Sequence, residues 1–139
     1  MKILTENEML ELLDATADDR ALLAKRMGPV LDPRTASWLA TEVQNKNLSV
    51  TTIVRGGRKL GAVWWWYSKT NRSLVLNAGA SFLPGENTTR DFMAAYEVLA
   101  HRLGAQSLEL QTARAGIAKL YRQAGWVIEG VNMRKFLEL

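Results

Sequence analysis

Three consecutive β-rich segments, divided by two short turns, do most to limit what this chain can fold into. Leu48–Val54, Lys59–Tyr67 and Ser73–Leu83 are each dense in β-branched, aromatic or aliphatic residues. Arg55-Gly56-Gly57-Arg58 separates the first pair, and a Gly-Gly pair supplies the positive φ angles that a tight hairpin needs. Ser68–Arg72 is a polar turn between the second and third segments. Strands joined so closely pair antiparallel with their neighbours, so a three-stranded meander is predicted. Within it, Trp64-Trp65-Trp66-Tyr67 alternates, sending Trp64 and Trp66 to one face and Trp65 and Tyr67 to the other. Large aromatics on both faces imply a sheet covered on both sides. An aromatic-lined acceptor pocket, or a surface on which nucleic-acid bases stack, is the alternative use of the same run.

Helical spacing flanks the meander. Met1–Leu4 reads as a short strand, and Thr5-Glu6-Asn7-Glu8 as a capping box for a helix that buries Met9, Leu10, Leu12 and Leu13. A second helical piece carries Leu22, Leu23 and Met27 and stops at Gly28-Pro29. Asp32-Pro33 opens another, with the aspartate as cap and proline in the first turn, and aligns Ala36, Leu39, Ala40 and Val43 on one face. After the meander, Thr88–Leu103 aligns Phe92, Met93, Tyr96, Leu99 and Leu103 and stops at Gly104. Ser107–Gln111 reads as a strand and Ala113–Ala124 as a helix ended by Gly125. Trp126–Ile128 and Val131–Leu137 read as closing strands. The expectation is one α/β domain over residues 1–139, a mixed sheet with flanking helices.

Composition removes several function classes. The chain has no cysteine, which excludes disulfides, thiolate-bound zinc and cysteine nucleophiles, and His101 is its single histidine. His101 falls late in a helix beside Arg102, a surface position in favourable register with the helix dipole. No stretch is apolar for long enough to cross a bilayer, and the amino terminus turns polar too early for a secretory signal, so a cytoplasmic protein without membrane contact is expected. The net charge of +4 is uneven: residues 1–54 hold 6 basic and 8 acidic side chains, residues 55–139 hold 12 and 6. A basic second half suits a phosphorylated cofactor or nucleic acid as partner, and equally a solvated surface.

Near the end, Leu108-Glu109-Leu110 is followed by Ala118-Lys119-Leu120-Tyr121-Arg122-Gln123-Ala124-Gly125-Trp126. This stretch, with the order strand, helices, meander, helix, strand, helix, two strands, resembles the GNAT superfamily of acyl-CoA-dependent N-acyltransferases over nearly the whole chain. The resemblance implies a sheet that opens between Asn77–Leu83 and Ser107–Gln111 to admit the pantetheine arm of acetyl-CoA. Asn77, Gly79 and Phe82 would lie on that edge, with Gly79 at the usual bulge. It further implies that Tyr121 protonates the departing thiolate; the other reading of Tyr121 is a core aromatic. Glu109 is the remaining candidate for a base acting on the amine through water, or else an exposed strand residue. The acceptor would be an amine on a small molecule or protein.

One departure from the resemblance stands out. GNAT acyl-CoA binders carry Q/R-x-x-G-x-G/A before the helix, so that backbone N–H groups reach the pyrophosphate. Here the segment is Pro84-Gly85-Glu86-Asn87-Thr88-Thr89-Arg90-Asp91-Phe92, and that motif is absent. Asn87, Thr88, Thr89 and Arg90 remain possible phosphate donors, and Arg114 a further one. Thr88 with Asp91 also fits an ordinary capping box. Three functions therefore stand open: an N-acyltransferase, a non-catalytic structural or protein-binding module on the same scaffold, and a protein acting on nucleic acid through its basic half.

Overall fold

The computed structural model describes residues 9–28, 31–110 and 115–127. Its elements, in chain order, are β1 (Leu10–Asp14), α1 (Ala17–Met27), α2 (Pro33–Gln44), β2 (Ser49–Arg55), β3 (Arg58–Ser68), β4 (Ser73–Ser81), α3 (Thr89–Leu103), β5 (Ser107–Leu110) and α4 (Ala115–Gln123). The five strands lie side by side in sequence order, β1 to β4 antiparallel and β5 parallel to β4. A parallel step needs a crossover, and α3 supplies it.

The meander forms as expected, with Gly56 and Gly57 both at positive φ in the first turn. Trp64 and Trp65 part to opposite faces as their alternation requires. Trp64 packs with Leu23 of α1 and Leu39 of α2, while Trp65 packs on the cluster built from Ile53, Val63, Leu74, Leu76, Tyr96 and Tyr121. Helices α1 and α2 thus cover one face of the sheet, and α3 and α4 the other.

The segment at Met9–Leu13 is not a helix. Leu10–Asp14 pairs with β2, from Leu10 opposite Arg55 to Asp14 opposite Thr51. Its apolar residues at positions 9, 10, 12 and 13 fit a helical stripe, but Leu10 and Leu12 alternate into the α3 face and Leu13 is left largely exposed. Cross-strand pairing to β2 outweighs local periodicity here. The helix begins later, at a capping box of Thr16 and Asp19: Asp19 N–H donates to Thr16 Oγ1 at 3.1 Å and Thr16 N–H to Asp19 Oδ2 at 3.2 Å. Asp19 also accepts from Thr52 Oγ1 at 2.9 Å and Lys59 Nζ at 2.8 Å, which ties α1 to β2 and β3. Burial alone would raise its carboxyl, but the bonds from Lys59, Thr16 and Thr52 hold it below the ordinary carboxylate range. The expected Met1–Leu4 strand, the Thr5–Glu8 box and the strand over Val131–Leu137 lie outside the described residues. Trp126 and Val127 are described and are not in a strand.

Candidate functional site

The β4–β5 pairing runs from Ser73 opposite Ser107 to Leu76 opposite Leu110. Strand β4 then continues to Ser81 paired with β3 alone among the described residues. The pairing is described as far as Leu110, and residues 111–114, which follow β5, lie outside the described residues. Beyond Leu76, no described residue pairs with the outer edge of β4.

Asn77 is the bulge. Trp65 faces Leu76 and Trp64 faces Ala78, which leaves Asn77 without a cross-strand partner. The inserted residue turns the strand over: Leu76 is buried on the α3 face, whereas Ala78, Ala80 and Phe82 pack toward α1 and α2. The expectation of a bulge at Gly79 is therefore corrected. Gly79 sits in regular register opposite Val63, and its lack of a side chain has a packing cause. A Cβ there would lie 3.2 Å from the Tyr96 hydroxyl and 3.2 Å from the Ala62 carbonyl oxygen. Phe82 lies just past the end of β4. Its side chain is partly buried against the α1–α2 cluster and its N–H donates to Leu60 O at 2.8 Å.

Against this edge stands Tyr121, 6% exposed, in the same cluster as Leu76 and Tyr96. Helix α4 ends where Gly125 takes φ +97°, which lets Trp126 N–H return to Tyr121 O at 3.0 Å. The Trp126 ring then packs edge-on to Tyr121, centroids 5.0 Å apart. The Tyr96 and Tyr121 hydroxyls hydrogen-bond to each other. Burial pushes the Tyr121 phenol up to about 12, with the bond to Tyr96 drawing it partly back. Burial also pushes Tyr96 well above the usual phenol range, and Tyr121 adds to that rise. Tyr96 counts among the core residues in the sequence pattern; only its position against Gly79 reveals a polar role.

Glu109 stands opposite Val75 and is exposed, while its neighbours Leu108 and Leu110 pack into the α3–α4 cluster. By alternation it projects from the face opposite Tyr121. Arg114 lies outside the described residues.

The loop before α3 is organised differently from the expected capping box. Thr88 makes no side-chain cap bond. Asn87 Oδ1 instead accepts the Thr89 N–H at 3.2 Å, and Asp91 pairs with Arg55, Oδ1 to Nη2 at 3.0 Å. Arg58 grips Glu86 with two nitrogens, at 2.7 and 3.3 Å. Asp91 prefers the guanidinium because a full counter-charge outbids a neutral hydroxyl cap. Both acidic residues of the loop are thus neutralised from the β2–β3 turn. They border a cleft of about 330 Å³ that is also lined by Arg55, Arg58, Leu60 and Thr88. Arg90 is exposed, and among the described residues no hydrogen bond engages the N–H of Arg90 or Asp91. The start of α3 therefore keeps open donors at its positive end.

No protein-family model matches the sequence, and no curated protein does. Solved structures do match. A transcriptional regulator from Bacillus halodurans superposes at TM-score 0.69 with 14% identity, covering 93% of this chain and 100% of that one. A Desulfovibrio desulfuricans protein assigned to the GNAT acetyltransferases superposes at 0.67 with 14% identity, covering 88% and 87%. AAC(6')-Iy, solved with the bisubstrate analogue CoA-S-monomethyl-acetylneamine, superposes at 0.58 with 14% identity, covering 95% and 99%. The likeness is one of fold: this chain has the α/β architecture of the GNAT acetyltransferases.

Proposed function

We propose that this chain is an N-acyltransferase that moves an acyl group, acetyl in the simplest case, from acyl-CoA to an amine. The observation that carries the reading is the Asn77 bulge directly after the last described β4–β5 pair, with the buried Tyr121 phenol, its proton held by that burial, packed against the same strand. The bisubstrate complex of AAC(6')-Iy, whose fold this chain shares, supports CoA as donor and an amine as acceptor.

The residues present fit acyl-CoA at the arm and thiol, and fit less well at the pyrophosphate. Backbone groups on the outer edge of β4 from Asn77 onward, which no described residue pairs, suit the amides of pantetheine, and backbone N–H groups beside the bulge suit a carbonyl that gains negative charge. The donors at the start of α3, with Arg90, take the place of a glycine-rich loop. Phe92, buried in the core where the family pattern has a small residue, sets that helix by packing.

Acyl-CoA supplies a thioester. The amine nitrogen attacks its carbonyl carbon, the C–N bond forms and the C–S bond breaks. Tyr121 gives its proton to the departing sulfur and is reprotonated by the proton the amine loses. A phenol held near 12 keeps that proton until a thiolate develops. Glu109, on the other face, serves at most through water.

Tyr121→Phe tests the reading. It should leave the acetyl-CoA dissociation constant within about twofold and slow thiol release to a panel of primary amines by roughly 100-fold, because the proton is needed only as the thiolate leaves. Equal rates in the two proteins would exclude Tyr121 as the acid.

Three basic residues that flank the aromatic run are engaged within the chain. Arg55, Arg58 and Lys59 each pair with a carboxylate of this chain.

A further inference from the structure

Helices α1 and α2 leave an apolar groove between them, lined by Ala21 and Ala24 from one and Ala36 and Ala40 from the other. Small residues ordinarily let two helices close on each other. Here all four alanines are exposed, and the space they border measures about 260 Å³. Trp64 lines it from β3 and is itself only 5% exposed. A buried indole usually gives its N–H to an acceptor, and the neighbouring Trp65 does so, Nε1 to Thr51 Oγ1 at 2.8 Å. The Trp64 N–H has no partner among the described residues, yet its nitrogen is not sealed from solvent. The groove that the ring lines is where an acceptor can reach it. Arg20 lines the same groove. Its Nη1 donates to Ala15 O at 2.8 Å, and no described carboxylate pairs with the guanidinium. The adjacent Asp19 is already taken by Thr16, Thr52 and Lys59.

We infer that this groove binds an apolar monocarboxylate of about ten heavy atoms, whose oxygens accept from Arg20 and from Trp64 Nε1. The size follows from the volume: an apolar cavity of about 150 Å³ holds a six-carbon ring, so this one suits about ten atoms. The two donors lie close enough to share a head group. Asp19 fixes the first turn of α1 over Thr52, Thr52 pairs with Ala62, and Ala62 is two residues, about 7 Å, from Trp64 on the same face. The alanine methyl groups and the indole ring cover the ligand's apolar body. A ligand seated there bridges α1, α2 and β3. The site is on the sheet face opposite Tyr121, and it stands whether or not the chain takes acyl-CoA.

The test titrates isotope-labelled protein with three probes: octanoate; octylamine, which has a similar chain and the opposite charge; and acetate, which has the head without the chain. Of the five tryptophans, single Trp→Phe substitutions assign the indole N–H signals in the NMR spectrum. Octanoate should bind saturably at one site, about tenfold more tightly than octylamine and about 100-fold more tightly than acetate, and should move the Trp64 indole signal. Ala24→Leu and Ala40→Leu fill the groove from either helix with a good helix former, and each should lose octanoate without a lower Tm. Arg20→Gln should narrow the preference for octanoate over octylamine by about tenfold. No saturable movement of the Trp64 signal overturns the assignment, as does equal affinity for octanoate and octylamine. Octanoate binding retained in both leucine variants overturns it too. The wild-type titration and Arg20→Gln decide the matter even where a leucine variant does not fold.

Discussion

Replacing Asp19 by alanine should be among the most costly single changes on the α1–α2 side of the sheet, and the structure says why. The carboxylate is 6% exposed and accepts three bonds, from Thr16 N–H, Thr52 Oγ1 and Lys59 Nζ. Loss of the reciprocal cap costs about 1 kcal/mol. Thr52 is 0% exposed, and stranding its hydroxyl costs roughly 1–3 kcal/mol more. Lys59 is 49% exposed and regains water, so its ion pair adds little. The sum is about 2–4 kcal/mol, or a fall in Tm of roughly 10 °C for a domain of this size. Urea denaturation of Asp19→Ala, Thr52→Val and the double variant measures it, and the pair should couple by about 1 kcal/mol or more. The sign with pH is fixed as well. The folded carboxyl lies below its unfolded value near ~3.9, so its contribution is complete above about pH 4 and is lost as pH falls through the folded value. Asp19→Asn should therefore flatten the acid limb of the stability curve. A loss under ~1 kcal/mol for Asp19→Ala, or an unchanged acid limb in Asp19→Asn, would refute the reasoning.

Further outcomes are expected at the glycines and tyrosines. Gly61→Ala should destabilise strongly, because the new Cβ would meet the Ala80 carbonyl oxygen and lie 2.5 Å from Phe92 Cζ, and the backbone oxygen cannot yield; denaturant unfolding measures it. Gly79→Ala should cost less, about 1–2 kcal/mol by the same assay, since the Tyr96 hydroxyl and Ala62 oxygen at 3.2 Å need give only a few tenths of an ångström. Because Tyr121 keeps its proton up to about 12, the rate of acyl transfer should show no loss of the acid form between pH 7 and 10; a falling limb centred near 9 would point to another group.

What could be read from the sequence follows the range of the interactions. The meander, the Asp32-Pro33 start of α2, the amphipathic α3 and the Gly125 turn are set by neighbours within a few residues, and each lies where residue type predicts it. Asp32, for instance, does cap, accepting the Arg34 N–H at 2.8 Å. Leu10–Asp14 was misleading because its partner, β2, is some forty residues away, and a mixed stripe of leucines satisfies two periods. The Thr16-Ala17-Asp18-Asp19 box that starts α1 is visible in the sequence, but the helix assigned upstream concealed it. At the candidate site, Tyr121 and Asn77 are identifiable by motif and position. The bulge is not, since it exists only in the register between β3 and β4. Gly79 attracts notice as a glycine in a strand, and its reason lies on α3, in Tyr96. Thr88 and Asp91 satisfy a capping pattern, yet Arg55, distant in sequence, takes the carboxylate.

The central claim, that the outer edge of β4 beyond Leu76 takes acyl-CoA, is tested most directly by titrating the folded protein with acetyl-CoA in a calorimeter while following its thermal unfolding. A ligand that binds only the folded state stabilises it by about 2.7 kcal/mol at a hundredfold excess over its dissociation constant. The account predicts saturable heat at one site per chain and a matching rise in Tm, both weakened by Arg90→Glu, which places negative charge at the start of α3. Millimolar acetyl-CoA that gives neither heat nor a shift would contradict it and leave a GNAT fold that does not use this donor.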